Sequence, residues 1–265
     1  MTAQLAAPQS KPARPAGRRP TPVIAFLGTG RMGGPMAANL ARAGFEVRAW
    51  DRTPGHAAAL TEDGVTAAAS PAEAIRGAGL LITMLADGPA TDQVWETDAL
   101  LAAAPHLIWI QMATVGLDWT ERFENTATRY GMSFFDAPVS GSQGPAQAGE
   151  LTILASGPHW LRDAVTPVFA VLGRATAWLG PAGPGTRAKL VLNNWLADLA
   201  ETTAETLSFA RRLGLDPALI VDLPRWRRAV AAGHADDDVA AIYATPDVPE
   251  QGPDAPPGPV GAPGR

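Results

Sequence analysis

VIAFLGTGRMGGPMAANL, residues 23–40, begins with five consecutive apolar residues, as expected of a strand buried on both faces of a sheet. Glycines then follow in G-x-G-x-x-G spacing, at Gly28, Gly30 and Gly33, and a run of good helix formers begins at Met36. Glycine permits a turn at the first position, the approach of a pyrophosphate at the second and close helix packing at the third. Since the N-terminus of a helix attracts anions, the stretch predicts a strand–turn–helix cradle for a phosphate.

A second predicted strand, FEVRAW at residues 45–50, ends directly before Asp51. This carboxylate lies about 20 residues beyond the glycines, where an acidic residue can bind the ribose hydroxyls of a dinucleotide. A tight turn in an ordinary α/β protein is the alternative interpretation of the glycines. The surrounding strands and helix favour the dinucleotide-binding interpretation.

Strand and helix patterns alternate from residue 22 to about residue 180. Strands are predicted at residues 23–27, 45–50, 80–85, 107–112, 133–137, 151–156 and 175–179. Helices are predicted between them at residues 35–43, 71–76, 118–130 and 160–172. Such alternation is typical of an α/β fold with a doubly wound, mainly parallel sheet, in which ligands bind outside the carboxyl ends of the strands. We therefore expect one crevice, lined by the loops after Leu27, Trp50, Leu85, Met112 and Ala137.

A long helix is predicted after the glycine-rich loop at residues 180–185. Residues 186–213 contain neither proline nor glycine, and their apolar residues recur at helical spacing, so the helix would be about 40 Å long. Gly214 is its expected end, and Asp216 with Pro217 would begin another helix. Such a helix leads out of the first domain toward a helical second one.

The predicted organisation has four parts. A basic, proline-containing tail that we expect to be disordered covers residues 1–21, and the Rossmann-type dinucleotide-binding domain covers residues 22–181. The long helix and the remnant of an incomplete all-α second domain cover residues 182–230. A tail at residues 231–265 is expected to be disordered, because its last 20 residues include seven prolines and four glycines.

Composition narrows the classes of function. The 265 residues include no cysteine, which excludes disulfides and thiolate chemistry and fits a cytoplasmic protein. The four histidines lack ligand spacing, so no metal site is expected. No apolar run reaches the roughly 18 residues of a membrane span, and a net charge of −5 argues against a nucleic-acid partner.

Two further stretches carry candidate chemistry. The loop at Ser140, Gly141 and Ser142 offers hydroxyl and backbone N–H groups that suit a carboxylate, although by itself it is better interpreted as a plain turn. Lys189 and Asn193 are spaced i, i+4 and therefore share a helix face. A lysine can exchange a proton with a substrate oxygen, yet an isolated pair of this kind is more often solvated charge.

Taken together, the motifs resemble those of the β-hydroxyacid dehydrogenase family, the group that includes 3-hydroxyisobutyrate dehydrogenase. The matching segments follow the family's order and spacing across residues 23–222. They are FLGTGRMGGPMAANLARAGFEVRAWDRT (26–53), MLAD (84–87), QMATV (111–115), DAPVSGSQGPAQAGELTILASG (136–157), GPGTRAKLVLNN (183–194) and ETLSFARRLGLDP (205–217). The SGS and GPA segments are most similar to the glyoxylate and succinic semialdehyde reductase branch.

The resemblance implies hydride transfer between NAD or NADP and a small hydroxy acid, or its aldehyde or keto acid. The implied cofactor-binding residues are Gly28, Thr29, Gly30, Arg31, Met32, Gly33, Asp51, Arg52, Thr53, Leu85, Ala86 and Thr114. Ser140, Gly141 and Ser142 would bind the substrate carboxylate. Lys189 would be the general acid in reduction and the base in oxidation, supported by Asn193.

The resemblance leaves several points open. Asp51 would repel the 2′-phosphate of NADP whereas Arg52 would attract it, so we expect either cofactor to be accepted. The family's further helices have no match after Leu223, where we expect an altered or truncated coding frame; a homodimer is one expected assembly. A dinucleotide-binding module without turnover and an imine reductase are the alternative functions.

Overall fold

The computed structural model describes residues 22–95 and 105–218. Its larger sheet has six parallel strands in the order β3-β2-β1-β4-β5-β6. These strands are β1 (Ile24–Leu27), β2 (Val47–Trp50), β3 (Thr66–Ala67), β4 (Leu80–Thr83), β5 (Ile108–Gln111) and β6 (Ser133–Asp136). The order reverses between β1 and β4, which creates the crevice where Rossmann folds bind ligands.

Helices cover both faces of this sheet, as the doubly wound prediction required. The described helices are α1 (Gly33–Arg42), α2 (Pro54–Ala58), α3 (Pro71–Ile75), α4 (Gly88–Asp92), α5 (Leu117–Arg129), α6 (Gln143–Ala148), α7 (Arg162–Leu172) and α8 (Pro184–Arg212). Every residue of β1 is fully buried. Ile24 and Phe26 belong to the core cluster on one face, while Ala25 and Leu27 belong to the cluster on the other, because alternate side chains of a strand point in opposite directions.

The last two predicted strands do not extend the larger sheet. They belong to a second sheet of three strands: β7 (Val139–Ser140), β8 (Leu151–Ala155) and β9 (Gly173–Trp178). β7 follows β6 after only two residues and pairs antiparallel with β8. A parallel neighbour of β6 would need a longer crossover connection, so β7 does not continue the larger sheet. β3 and β7 were not predicted; each has only two residues and therefore too short a hydrophobic pattern.

The long helix was predicted closely, because its run without proline or glycine and the glycine beyond its last turn are local signals. It begins at Pro184, two residues before the predicted start, because proline fits the first turn of a helix. α8 extends over Pro184–Arg212, and Gly214 has the positive φ of 74° that favours glycine after a helix. Of the described residues, those up to Thr206 belong to one compact unit and residues 207–218 belong to a second. The predicted domain boundaries remain predictions, and both predicted tails lie outside the described residues.

Candidate active site

The glycine turn directly follows β1. Gly28 has a φ of 97°, and a Cβ there would lie 2.4 Å from the carbonyl oxygen of Met84. A Cβ on Gly33 would lie only 1.8 Å from the carbonyl oxygen of Gly28, so the packing of α1 against the turn requires glycine at this position too. Among the described residues, its two chain neighbours aside, no atom lies within 4 Å of the Cβ position of Gly30. The turn therefore has two glycines required by packing and a third that leaves room for a ligand.

A cavity of about 700 Å³ lies at the carboxyl ends of β1, β2 and β4. Ten of the twelve predicted cofactor-binding residues line it: Gly28, Gly30, Arg31, Met32, Gly33, Asp51, Arg52, Thr53, Leu85 and Ala86. Seven further described residues line the cavity and were not predicted, namely Trp50, His56, Pro71, Met84, Ala90, Gln93 and Val94. Their positions depend on how the loops after three separate strands meet, and no local pattern marks this.

Asp51 joins the glycine turn to the loop after β2. Its Oδ2 accepts a hydrogen bond from the Thr29 N–H at 2.8 Å, and its Oδ1 accepts one from the Thr53 N–H at 2.8 Å. Nδ1 of His56 lies 3.3 Å from the same Oδ1. The Thr29 hydroxyl also donates to Oδ2, at 3.4 Å. A carboxylate has about four acceptor sites, and the two short backbone bonds occupy two of them, so ribose hydroxyls would replace the longer contacts from the Thr29 hydroxyl and His56. Arg31 and Arg52 bring positive charge to the same cavity.

The loop after β4 is fixed by a helix cap and by a close contact with α5. The Asp87 carboxylate caps α4 by accepting the Ala90 N–H at 2.8 Å. A Cβ on Gly88 would lie 2.1 Å from the Trp119 ring of α5, so glycine permits this close contact. These contacts fix Leu85 and Ala86, immediately before the cap, in the cavity wall.

Buried polar side chains occupy the carboxyl ends of three neighbouring strands. Thr83, Gln111 and Asp136 are paired in register across β4, β5 and β6, and all three are fully buried. The Thr83 hydroxyl donates to Oε1 of Gln111 at 2.5 Å and accepts from the Trp109 indole at 2.8 Å. Nε2 of Gln111 has no hydrogen-bond partner in the described part of the chain. This network was not predicted from the sequence.

Asp136 is the buried carboxylate of this group. It accepts hydrogen bonds from the Thr186 N–H at 2.7 Å and the Thr186 hydroxyl at 2.6 Å. Desolvation by burial raises the pKa of the Asp136 carboxyl above its ordinary value, although bonds from Thr186, Ser156 and Gly183 partly oppose the rise. The charged form is thus held at a net cost in solvation.

Replacement of this carboxyl gives a testable pH dependence. Asp136→Asn should become more stable relative to the wild type as the pH rises from about 4, the ordinary pKa of an aspartate, through the raised pKa of the native carboxyl. The native carboxyl binds its proton more tightly than the unfolded chain does, so the wild type loses free energy of unfolding as the pH rises through the raised pKa. Urea unfolding of both proteins at several pH values measures the difference. A difference that is constant, or that falls as the pH rises, would contradict this expectation.

The other predicted site residues lie outside the wall of the 700 Å³ cavity. Thr29, on the glycine turn, bonds to Asp51 instead. Ser140 ends β7, and Gly141 and Ser142 lead into α6. The remaining three are Thr114, half-buried in the loop after β5, Lys189, half-buried on α8, and Asn193, exposed on the same helix. Their predicted meeting with the cofactor stays a prediction.

The strand order, the glycine turn and the cavity at the sheet reversal define a dinucleotide-binding protein of the Rossmann class. Residues 23–180 match the sequence family described as the NAD binding domain of 6-phosphogluconate dehydrogenase. The described helices include none that is both long and apolar enough to cross a bilayer. The residues that the structure describes contain no cluster of His, Cys, Asp or Glu side chains that could hold a metal ion.

Known relatives narrow the class further. The chain is 37% identical over 202 residues to 3-hydroxyisobutyrate dehydrogenase of Pseudomonas aeruginosa, which covers 76% of this chain and 68% of the relative. It is 34% identical over 202 residues to glyoxylate/succinic semialdehyde reductase 1 of Arabidopsis thaliana, covering 76% and 70%. A solved Mycobacterium tuberculosis 3-hydroxyisobutyrate dehydrogenase with L-serine has a TM-score of 0.70 and 33% identity, covering 80% of this chain and 70% of that one. The chain belongs to the β-hydroxyacid dehydrogenase family of NAD- or NADP-dependent oxidoreductases.

Proposed function

We propose that this protein transfers a hydride between NAD or NADP and a small hydroxy acid, or the corresponding aldehyde or keto acid. The observation that carries the proposal is the cavity at the sheet reversal, whose wall combines the open side of Gly30 with the carboxylate of Asp51. These features fit a dinucleotide, because its pyrophosphate needs close backbone approach and its ribose needs an acceptor. When bound, the nicotinamide ring would supply or accept the hydride.

The protein's own contribution would be orientation and a proton. Backbone N–H groups of the glycine turn would hold the pyrophosphate, and Leu85, Ala86 and Thr114 would limit the position of the nicotinamide. Reduction of a carbonyl leaves negative charge on oxygen, which the Lys189 ammonium would neutralise by donating a proton. In oxidation the neutral amine would accept the alcohol proton, with the amide of Asn193 orienting both groups.

The substrate class is inferred from the loop at Ser140 and from the names of the relatives. Backbone N–H groups and hydroxyls in a turn suit a carboxylate. The relatives' names specify 3-hydroxyisobutyrate, glyoxylate or succinic semialdehyde, and, for a Pseudomonas aeruginosa enzyme 34% identical over 207 residues, L-serine. Each is a small carboxylate with a hydroxyl or aldehyde. A cytoplasmic location and a homodimer remain predictions, the first supported by the absence of cysteine.

A substrate panel with both cofactors tests the proposal. We expect the purified full chain to oxidise 3-hydroxyisobutyrate or L-serine, or to reduce glyoxylate or succinic semialdehyde, and to leave a cyclic imine unchanged. The measurement is the change in absorbance of the reduced nicotinamide. Binding of NAD or NADP without turnover of any carboxylate would indicate the binding module instead, and turnover of the imine alone would indicate an imine reductase.

A further inference from the structure

A buried polar cluster joins the beginning of α8 to the end of β6. Asp136, Ser156 and Thr186 are all fully buried. The Ser156 hydroxyl accepts the Gly185 N–H at 3.0 Å and donates to the Asp136 carbonyl oxygen at 3.0 Å. Together with the two bonds from Thr186 to the Asp136 carboxylate, two N–H groups of the first helical turn obtain partners from other elements. The helix is thus capped by the sheets rather than by its own preceding residue.

Two further contacts fix the same turn. The Thr120 hydroxyl of α5 lies 3.0 Å from the Thr186 hydroxyl. Thr186 therefore contacts both Asp136 at the end of β6 and a residue of α5. A Cβ on Gly185 would lie 2.5 Å from the carbonyl oxygens of Asp136 and Leu154. The first turn of α8 therefore rests directly on the backbone of β6 and β8. Its rotation and its height above the sheet are determined by these contacts.

Lys189 follows Thr186 by three residues and Asn193 follows it by seven, so all three lie on one face of α8. At 1.5 Å rise per residue, Lys189 is about 4.5 Å farther along the helix axis than Thr186. Asp136 ends β6, at the edge of the sheet where the cavity-lining loops also begin. A displacement of the first turn of α8 would consequently move Lys189 by a similar distance.

The chemistry of the cluster favours a role beyond stability. A fully buried carboxylate pays a large solvation cost, and apolar residues of similar volume often stabilise a fold equally well. We propose that Asp136 and Thr186 are positioning residues that hold the first turn of α8, and through it Lys189, at the position from which the ammonium would reach the substrate oxygen. This inference rests on the proposed function of Lys189 as the proton donor.

Thr186→Val tests the proposal, because valine keeps the branched shape of threonine and replaces its hydroxyl with a methyl group that cannot donate to the Asp136 carboxylate. We expect kcat to fall by about 10- to 100-fold, since small displacements of a catalytic group carry penalties of this order. The dissociation constant of the cofactor, measured by fluorescence quenching, should change less than about twofold, because neither Thr186 nor Asp136 is among the residues that line the 700 Å³ cavity. Thr186→Ser, which restores the hydroxyl, should recover kcat to within about threefold of the wild type.

Thr203→Val is the matched control. It is the same substitution on the same helix, and within the described residues the Thr203 hydroxyl donates its hydrogen bond to the Leu199 carbonyl oxygen one turn earlier, at 2.7 Å. We expect its kcat to equal that of the wild type. Thr120→Val, which removes only the hydroxyl beside Thr186, is a milder second variant that should lower kcat by about threefold. If both Thr186→Val and Thr120→Val keep the kcat of Thr203→Val, or if kcat and cofactor affinity fall together, the positioning role is wrong.

Amide hydrogen exchange over residues 184–193 separates this inference from the proposed function. Exchange in the full chain should be faster in Thr186→Val than in Thr203→Val, whether or not the enzyme turns over. Equal exchange in the two variants would overturn the anchor itself. Absence of turnover in the wild type, with the expected difference in exchange, would instead overturn the assigned chemistry, and the positioning of a catalytic lysine with it.

Discussion

Lys189→Ala is expected to lower kcat by a factor of about 10² to 10⁴, while the dissociation constants of NAD and NADP stay within a few-fold of the wild type. This loss corresponds to about 3–5 kcal/mol of transition-state stabilisation. The effect should be large because the variant has no group to protonate the oxygen as hydride arrives at the carbon. Steady-state kinetics with a saturating cofactor, together with equilibrium cofactor binding, measure the two quantities separately.

Two companion variants sharpen this test. Lys189→Arg keeps a positive charge, but a guanidinium does not release its proton in the physiological range, so kcat should stay low. Arg211→Ala removes an exposed cation from the last turn of the same helix and should leave kcat unchanged. A kcat for Lys189→Ala within about threefold of the wild type would exclude proton transfer by this lysine. Equal losses of cofactor affinity and kcat would indicate structural damage.

Gly30→Ala is expected to raise the dissociation constants of NAD and NADP by about 10- to 100-fold without changing thermal stability measurably. In the part of the chain that the structure describes, no atom beyond the two neighbouring residues lies within 4 Å of the new methyl group, and Gly30 does not have the positive φ that would strain an alanine. The methyl group would therefore lie in the cavity, where the pyrophosphate needs close approach to backbone N–H groups. Titration of the cofactor by intrinsic fluorescence and thermal unfolding provide the two measurements.

The glycines around it provide matched comparisons. The Cβ of Gly55→Ala also meets no atom of the other described residues within 4 Å, but Gly55 is not among the residues that line the cavity, so neither cofactor affinity nor stability should change. Gly33→Ala should instead destabilise the protein, because its Cβ would overlap the carbonyl oxygen of Gly28. Unchanged affinity in Gly30→Ala would show that the pyrophosphate does not lie over this turn.

The parts of the fold that the sequence predicted depend on local signals. The glycine spacing at residues 28–33 fixes a turn by backbone conformation, and the absence of proline and glycine after Gly185 leaves α8 uninterrupted. The second sheet was not predicted because its formation depends on where β8 pairs. An alternating strand and helix pattern does not distinguish a strand that continues a parallel sheet from one that turns away after Pro138.

The site was predictable to the same extent. Most residues of the nucleotide cavity follow strand ends that could be recognised, whereas His56 enters it only because α2 folds back beside Asp51. The role of Asp136 was missed because its partner Thr186 is 50 residues away in the sequence. Neither residue belongs to a pattern that links them, so the connection between β6 and α8 emerged only from the folded structure.

Proton transfer by Lys189 can be tested by chemical labelling, because the chain has only two lysines, Lys11 and Lys189. The full chain is acetylated with and without the reduced cofactor and the hydroxy acid product, a pair between which no hydride can pass, and the two sites are quantified by mass spectrometry. If Lys189 lies against the substrate oxygen beside the nicotinamide, the bound pair should slow its acetylation at least about tenfold relative to Lys11. Equal labelling of Lys189 in the presence and absence of saturating ligands would show that Lys189 does not lie against the substrate oxygen.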